Sequence, residues 1–230
     1  MKSPLSLIAG GTGLVGSHVV KVLSKKPGAQ IILARSFESE IPQNADLQII
    51  NFDNLGSNEV QLNKSVNHVY LCLGKKLSTH ELGYMQHGAR ESFKLIDFDY
   101  PLSIAKLAFD NGARSIALVS AVGAQEGSFN YYFHIKGKLE NEIRKIGYEN
   151  ICFARPGHLL GERKDFRGYE IPILESGLKI IAPFMKGPLE NFRQIEAKLV
   201  AESMVMSLQS KTKGETYLYY EDFLKTETLE

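Results

Sequence analysis

The chain has no tryptophan, only two cysteines and almost no net charge, and these scarcities exclude several classes of protein. A formal net charge of +1, from 27 basic and 26 acidic residues, gives no basic face for nucleic acid or an anionic membrane. No apolar run approaches the ~20 residues that a membrane-spanning helix needs. Polar turn residues end the first apolar run after Ala9, so we expect no signal peptide and a cytoplasmic protein.

The two cysteines, Cys72 and Cys152, lie inside the apolar stretches 69–73 and 151–154. These positions predict buried strand residues rather than a disulfide or a pair of metal ligands. No cluster of Cys and His has zinc spacing, so no metal is expected. There is also no Gly-x-Ser-x-Gly motif, which leaves a serine hydrolase without support.

Short apolar runs alternate with amphipathic helical stretches along the 230 residues. The runs are continuous rather than alternating, which is typical of a parallel sheet covered on both faces. We predict strands at 6–9, 30–34, 47–51, 66–73, 115–120, 150–154 and 216–220, and helices at 14–24, 131–146 and 196–208. Residues 88–111 form a further helical stretch, in which Pro101 predicts a break or a new start near Asp99.

These elements predict a single α/β domain over residues 1–230, built on a Rossmann-type doubly wound parallel sheet. The segment 157–230 is less regular, and its first part, 157–189, is expected to form loops and short helices. We expect 157–230 to be a small substrate-binding portion that caps the carboxyl edge of the sheet. Open α/β sheets bind their ligands at that edge.

A glycine motif, Gly-x-x-Gly-x-x-Gly over residues 10–16, stands between the first strand and the first helix. Glycines at this spacing let the backbone turn tightly and approach a pyrophosphate. The helix that begins near Leu14 offers unpaired N–H groups and the positive end of its dipole to that phosphate. The motif predicts a dinucleotide site, the alternative being a purely structural turn.

The residue after the second strand bears on the choice of nucleotide. NAD-preferring sites usually carry an acidic residue here that accepts from the ribose 2′-OH. This chain instead has Arg35, 19 residues after Gly16, whose charge and paired donors suit a 2′-phosphate. We therefore favour NADP(H) over NAD(H), the alternative being a solvated arginine. Asp53, after the third strand, either contacts the adenine amino group or caps a turn with Asn54.

A second constellation is Tyr132-x-x-x-Lys136, whose spacing places both side chains on one helix face. A nearby ammonium favours phenolate and lowers the pKa of a phenol from its usual value near 10. Such a tyrosine exchanges a proton as hydride moves. Ser120 closes the preceding strand and is expected to donate a hydrogen bond to a substrate carbonyl. The alternatives are a packing tyrosine and a solvated lysine.

His158 follows Arg155-Pro156-Gly157 at the end of the sixth strand. Its ring or its backbone is a candidate for lining the nicotinamide pocket. His134 lies off the face shared by the tyrosine and the lysine and is expected to pack or to face solvent.

Together these residues resemble the extended and atypical branches of the short-chain dehydrogenase/reductase superfamily. The glycine motif, Ser120, the Tyr-x-x-x-Lys pair and Arg155-Pro156-Gly157 all fit, and the resemblance runs over about residues 5–208. Cys72-Leu73-Gly74 is similar to the Tat-interacting-protein-like NADPH-binding reductases. Ala121 departs from the many extended members that carry a second Ser or Thr there, which argues against sugar-nucleotide chemistry.

The resemblance implies NADP(H) bound across the carboxyl edge of the sheet, with roles for these residues. Gly10, Thr12, Gly13, Leu14 and Val15 would hold the pyrophosphate, Arg35 and Ser36 the 2′-phosphate, and Leu73 and Gly74 would pass beneath the adenine-side ribose. Asp53, Pro156 and His158 complete the expected cofactor contacts. Tyr132 would donate a proton, Lys136 orient the nicotinamide ribose and Ser120 position the carbonyl.

The expected function is therefore an NADP(H)-dependent oxidoreductase acting on a small carbonyl compound. Two alternatives stay open: an NADP(H) sensor that regulates a partner without turnover, and a flavin or quinone reductase. Members of the superfamily often dimerise through the two helices that flank the fifth strand, whereas atypical members include monomers. The sequence names neither the substrate nor the oligomeric state.

Overall fold

A seven-stranded parallel sheet lies at the centre of the computed structural model, which describes residues 3–36, 40–55, 60, 62, 64–161, 185, 187–210 and 213–226. Its strands run in the order β3-β2-β1-β4-β5-β6-β9, and β7 and β8 pair separately. The strands are β1 (Leu5–Ala9), β2 (Ala29–Ala34), β3 (Ala45–Ile49), β4 (His68–Leu71), β5 (Ser115–Val119), β6 (Asn150–Ala154), β7 (Leu159–Leu160), β8 (Ile195–Glu196) and β9 (Gly214–Leu218). The predicted parallel sheet is confirmed.

Helices cover both faces of this sheet. They are α1 (Leu14–Ser24), α2 (Thr79–Gly83), α3 (His87–Lys94), α4 (Tyr100–Asp110), α5 (Tyr131–Ile146), α6 (Ala197–Gln209) and α7 (Tyr220–Leu224). A π-helical turn, Leu95–Asp99, joins α3 to α4. Within the described part of the chain, no helix has both the length and the apolar character to cross a bilayer.

Two apolar layers form because successive strand residues face opposite sides of the sheet. Leu7 of β1 packs in one layer with residues of α3, α4 and α5. Its neighbour Ile8 packs in the other, with residues of α1, α6 and α7. Strands buried on both faces need apolar residues at consecutive positions, which explains the continuous runs. The doubly wound α/β prediction is confirmed.

Helix α5 has the predicted bounds because both of its ends carry local signals. The Asn130 side chain accepts from the N–H groups of Tyr132 and Phe133 and so caps the first turn. Gly147 ends the helix in the left-handed conformation, at φ 99°. These signals need no tertiary contact, so the sequence alone locates the helix.

Pro101 produces a new helix start, as predicted, but without a break in the helical path. Helix α4 begins at Tyr100 with Pro101 in its first turn, where a missing N–H costs nothing. The π-helical turn before it carries the chain directly from α3 into α4.

The two edge strands differ from their predicted bounds by two residues. β3 is Ala45–Ile49 instead of 47–51, and β9 is Gly214–Leu218 instead of 216–220. Pairing of Gln30 with Ala45, and of Asn150 with Gly214, fixes these registers. Most of the predicted loop segment 157–189 lies outside the described residues, whereas β9 and α6 belong to the central layers.

Candidate functional site

The crevice for a ligand is set by the order of the strands. β1 and β4 are neighbours, but the chain leaves them towards opposite ends of the sheet, and open α/β sheets bind ligands at the carboxyl ends of such a strand pair. The N–H of Cys72 donates to the carbonyl of Ala9 at 2.9 Å, so the two strand ends stay in contact. The glycine turn and the segment Leu73–Gly74 therefore emerge side by side at this point.

The glycine turn is so tight that side chains would not fit at two of its positions. Gly10 has φ +84°, and a Cβ on it would lie 2.6 Å from the carbonyl oxygen of Cys72. A Cβ on Gly16 would lie 2.1 Å from the carbonyl oxygen of Gly10. The N–H of Gly13 closes the turn by donating to that same oxygen at 2.9 Å. The spacing of the motif is therefore a steric requirement of the turn.

The N-terminus of α1 is left free for an anion. Gly13 is its N-cap and supplies no side-chain hydrogen bond, and the first turn contains no acidic residue. The N–H groups that begin a helix lack intrahelical partners and carry a partial positive charge. Together with the glycine cradle, the uncapped turn at Leu14 and Val15, beside the exposed Thr12, fits a pyrophosphate.

Arg35 and Ser36 lie exposed where β2 ends. Among the described residues, no carboxylate forms an ion pair with Arg35. The hydroxyl of Tyr100 donates to Asp53. Asp53 lies inside a 3-10 turn and does not cap it, because the N-cap is Asn51, whose side chain accepts from the N–H of Asp53. Burial and Asp53 raise the pKa of Tyr100, and Arg35 opposes them, so Arg35, Asp53 and Tyr100 share one corner.

Tyr132 and Lys136 lie on the face of α5 that turns towards the sheet. The Lys136 side chain is buried, and its Nζ lies 2.8 Å from Oδ1 of Asp97 and 3.5 Å from the carbonyl oxygen of Val119 at the end of β5. The same ammonium lies 6.0 Å from the centre of the Tyr132 ring. The structure thus brings together the two residues that the spacing predicted, and adds Asp97.

The predicted lowering of the tyrosine pKa is not found. Burial raises the pKa of Tyr132, Lys136 lowers it, and Asp97 raises it again, with a net upward direction. Burial alone would lower the pKa of Lys136, but Asp97, Tyr132 and Glu140 together raise it. The prediction failed because it counted the lysine charge without the burial of the phenol, which is the largest cause, and without the Asp97 carboxylate.

Sequence reasoning missed Asp97, although it connects two parts of the site. Its Oδ2 accepts from the backbone N–H of Lys75 at 2.7 Å, directly after Gly74. The only signal in the sequence is a charged residue between Ile96 and Phe98, inside an apolar helical stretch. That signal identifies no partner.

The Ser120 hydroxyl has a hydrogen-bond partner within the protein. Ser120 is buried, and its hydroxyl donates to Oε1 of Glu140 at 2.5 Å. Nε of Arg155 also donates to Oε1 of Glu140 at 2.9 Å. Nη2 of the same guanidinium donates to the other carboxylate oxygen, Oε2. A paired carboxylate has no proton to give, so the serine hydroxyl is the donor in this contact.

Glu140 was also missed, but its position follows a visible pattern. Tyr132, Lys136, Glu140 and Arg144 recur every four residues and therefore lie on one face of α5. Arg155, directly after β6, also donates to the Tyr219 hydroxyl at 2.8 Å. The cluster ties α5 to the carboxyl ends of three strands.

Asn130 fixes the start of α5 against the neighbouring loop. Its side-chain oxygen caps the helix, and its Nδ2 donates to the carbonyls of Leu82 and Gly83 at 2.7 and 3.3 Å. The neighbouring Phe129 side chain is fully exposed, and Tyr84, directly after Gly83, is 60% exposed. Two loops that carry exposed aromatic side chains are therefore joined next to Tyr132.

Pro156 and His158 use their backbones for structural contacts. The Pro156 carbonyl accepts from the N–H of Val122 at 3.0 Å, and the His158 carbonyl accepts from the N–H of Ile195 at 2.9 Å. The His158 ring is half-buried.

His134 was expected to lie outside the site. Its Nδ1 lies 2.5 Å from the carbonyl oxygen of Glu126. No group of residues that would hold a metal occurs in the described chain.

Comparison with known proteins gives relatives along most of the chain, although no family model matches. Protein FMP52, mitochondrial, of Candida albicans is 34% identical over 167 residues, which are 71% of this chain and 70% of that protein. Protein HTATIP2 of Rattus norvegicus is 24% identical over 172 residues, covering 73% and 67% of the two chains.

Solved structures match in fold at low sequence identity. The Bordetella bronchiseptica enzyme WbmH, in complex with NAD+, has a TM-score of 0.67 at 10% identity, covering 94% of this chain and 75% of its own. ElxO with NADPH bound has a TM-score of 0.64 at 14% identity, covering 94% and 96%. These likenesses show the Rossmann-type fold.

The relatives overturn the expectation of a cytoplasmic protein. FMP52 proteins of several yeasts, all of them named as mitochondrial, match this chain. The expectation was wrong because an interrupted apolar run argues only against a secretory signal.

Identity of 34% over more than two thirds of both chains exceeds what a shared fold alone produces. The chain therefore belongs to the FMP52 family, and its fold and motifs are similar to those of atypical short-chain dehydrogenases/reductases.

Proposed function

We propose that the protein is an NADP(H)-dependent oxidoreductase that reduces a small carbonyl compound, with Tyr132 as the proton donor. One observation carries this proposal: an unbroken line of contacts joins the nucleotide turn to the tyrosine. Gly10 packs on Cys72, Lys75 donates to Asp97, and Asp97 pairs with Lys136 beside Tyr132. A nucleotide bound at the turn would extend along this line.

Different residues would hold different parts of the cofactor. The N–H groups that begin α1 would hold the pyrophosphate, with Gly10, Thr12, Gly13, Leu14 and Val15 around it. Arg35 and Ser36 would take the 2′-phosphate, and the second oxygen of Asp53 would accept from the adenine amino group. Leu73 and Gly74 would lie beneath the ribose, and Pro156 and His158 beside the nicotinamide.

The chemistry divides between the cofactor and the protein. NADP(H), when bound, supplies the hydride that the chain itself lacks. The Tyr132 phenol gives its proton to the carbonyl oxygen, and Lys136 holds a ribose hydroxyl. The buried walls around Lys136 and Asp97 exclude water from this face.

We also propose that the protein acts in mitochondria, as its yeast relatives are named to do. Fractionation of cells that express a tagged chain checks this. Recovery in the cytosolic fraction alone would contradict it.

A fluorescence titration with NADPH and, separately, with NADH tests the cofactor. We expect NADPH to bind about tenfold or more tightly than NADH, because Arg35 contributes a charge-assisted hydrogen bond to the 2′-phosphate. Arg35→Ala should lose this preference. Arg114→Ala, which removes an exposed arginine just before β5, is the matched control and should keep it. Binding of neither nucleotide would overturn the proposed function.

A further inference from the structure

One corner of the nucleotide crevice holds a carboxylate and an arginine on adjoining segments. Asp53 and Arg35 are both exposed, on the segments that follow β3 and β2. The N–H of Ile50 donates to the carbonyl of Ala34 at 3.0 Å, so the two segments leave the sheet side by side. A guanidinium and a carboxylate form strong hydrogen bonds when they meet. Within the described chain, however, these two residues do not pair.

The hydroxyl of Tyr100 holds one oxygen of this carboxylate. Tyr100 is the first residue of α4 and is 7% exposed, and its hydroxyl donates to Oδ1 of Asp53. Its ring meets the buried ring of Phe52 edge-on, with the ring centres 5.5 Å apart. Burial, and then the contact with Asp53, raise the pKa of Tyr100, so the hydroxyl keeps the proton that it donates. Packing of the ring therefore fixes where the carboxylate lies.

The second oxygen of Asp53 is left as an acceptor. The Asn51 side chain accepts from the N–H of Asp53 at 3.0 Å and so fixes the backbone of this residue. Both oxygens of a carboxylate accept hydrogen bonds, and Tyr100 uses only Oδ1. No other group in the described part of the chain donates to Oδ2. An exposed acceptor beside an unpaired guanidinium suits a ligand that brings a donor and an anion, as the adenine amino group and the 2′-phosphate of NADP(H) do.

A second carboxylate near Tyr100 has a partner of its own. Asp99 also raises the pKa of Tyr100, more weakly than Asp53 does, and it pairs with Lys94 at 2.7 Å. Arg35 acts on Tyr100 in the opposite direction, so its charge reaches the same hydroxyl. Removal of that hydroxyl would therefore leave Oδ1 of Asp53 free to turn towards Arg35.

We propose that Tyr100 is a positioning residue that sets the nucleotide specificity of the site. By holding Asp53, it leaves Oδ2 for the adenine amino group and keeps the carboxylate off Arg35, which stays available for the 2′-phosphate. This inference rests on the proposed function and adds to it a residue that touches no reacting atom. Loss of the hydroxyl should weaken two kinds of discrimination at once, between bases and between NADPH and NADH.

The test compares three nucleotides by fluorescence titration: NADPH, NADH and reduced nicotinamide hypoxanthine dinucleotide phosphate. The third carries a carbonyl oxygen where adenine carries its amino group, so it offers Oδ2 no donor there. In the wild type we expect NADPH to bind about tenfold more tightly than the hypoxanthine nucleotide, the scale of a hydrogen bond to a charged group. Tyr100→Phe keeps the ring against Phe52 and removes only the hydroxyl. It should bring this ratio to within about twofold of one and lower the preference for NADPH over NADH by about threefold or more.

Asp53→Ala and the double variant show whether the tyrosine acts through the carboxylate. Once Asp53 is gone, Tyr100 has nothing to hold, so Tyr100→Phe should change neither ratio further in the Asp53→Ala background. Tyr148→Phe is the matched control, since its hydroxyl donates to the carbonyl of Ala105 at 2.6 Å, on the same helix as Tyr100. It should keep both wild-type ratios.

Three results would overturn the inference and leave the proposed function standing. They are wild-type ratios in folded Tyr100→Phe, equal binding of the adenine and hypoxanthine nucleotides by the wild type, and an equal effect of Tyr100→Phe with and without Asp53. Selective NADPH binding that depends on Tyr100, in a protein that reduces no carbonyl compound, would support the inference and overturn the proposed reductase. Binding of none of the three nucleotides would overturn both.

Discussion

At the scale of single residues, the chemistry depends on which hydroxyl still has a proton to give. Tyr132 is half-buried beside Lys136, which pairs with Asp97, and burial is the main cause that raises the pKa of the phenol. The Ser120 hydroxyl already donates its hydrogen bond to Glu140. The tyrosine is thus the available donor, and the two hydroxyls should behave differently when removed.

Tyr132→Phe removes only the phenol oxygen and should lower kcat for carbonyl reduction by about 10²- to 10⁴-fold, the usual contribution of a general acid. NADPH affinity should be unchanged within about twofold, because the ring remains. Steady-state kinetics and nucleotide titration check both parts. Normal turnover of a carbonyl by the variant would refute the proton-donor role, and full flavin reduction would favour the flavin or quinone reductase.

Ser120→Ala should lower kcat by less than about tenfold, well below the effect at Tyr132, because its proton is committed to Glu140. The lost hydrogen bond to a buried carboxylate should instead lower the free energy of unfolding by about 1–3 kcal/mol. Kinetics and chemical denaturation of the same sample measure the two effects. A large loss of kcat in a stably folded variant would show that the serine turns towards the substrate during catalysis.

At the scale of elements, the start of α5 is the part of the site most open to test. Asn130 caps this helix with its oxygen and holds the end of α2 with its nitrogen. A single amide therefore positions Tyr132 relative to the loop after β4. The sequence predicts the cap, because Asn before a helix is a strong local signal, whereas the contact with Leu82 and Gly83 depends on the fold.

Asn130→Asp keeps the capping oxygen but removes the donors to Leu82 and Gly83, whereas Asn130→Ala removes both functions. We expect Asn130→Ala to lower the free energy of unfolding by about 0.5–2 kcal/mol, and Asn130→Asp to lose less. Both should raise KM for the carbonyl substrate, because the loop after β4 is no longer held. Denaturation midpoints and steady-state kinetics provide the check. Equal KM values in Asn130→Asp and the wild type would show that the loop is held by other contacts.

At the scale of the whole molecule, stability at acid pH should depend on a histidine far from the site. His68 begins β4 at the amino edge of the sheet, and burial lowers its pKa below the usual 6.5. The unfolded chain binds the proton more readily, so stability is present above pH ~6.5 and falls as the pH drops below it. The pKa of His18 on α1 is also lowered, mainly by burial and then by the nearby charge of Lys21.

His68→Gln should flatten the fall in the free energy of unfolding between pH 7 and 5, without changing nucleotide affinity. Urea denaturation at a series of pH values measures it. His87→Gln, at an exposed position of α3, is the matched control and should keep the wild-type slope. An unchanged slope in His68→Gln would assign the acid sensitivity to other groups.

The sequence by itself determined the features that depend on neighbours along the chain. Continuous apolar runs gave the two-faced parallel sheet, the glycine spacing gave the turn that only glycine fits, and local caps gave the bounds of α5. It also placed Tyr132 and Lys136 on one face, because a helix repeats every 3.6 residues.

Only the tertiary structure decided what faces those residues. Asp97 and Lys136 come from different helical segments and meet because the π-helical turn packs beside α5. Ser120 and Glu140 meet across β5 and α5, which redirects the serine proton. Edge-strand registers were likewise set by pairing with β2 and β6. Charges and hydrogen bonds act through space, so their partners, and the protonation state they impose on Tyr132, follow from packing rather than from spacing along the chain.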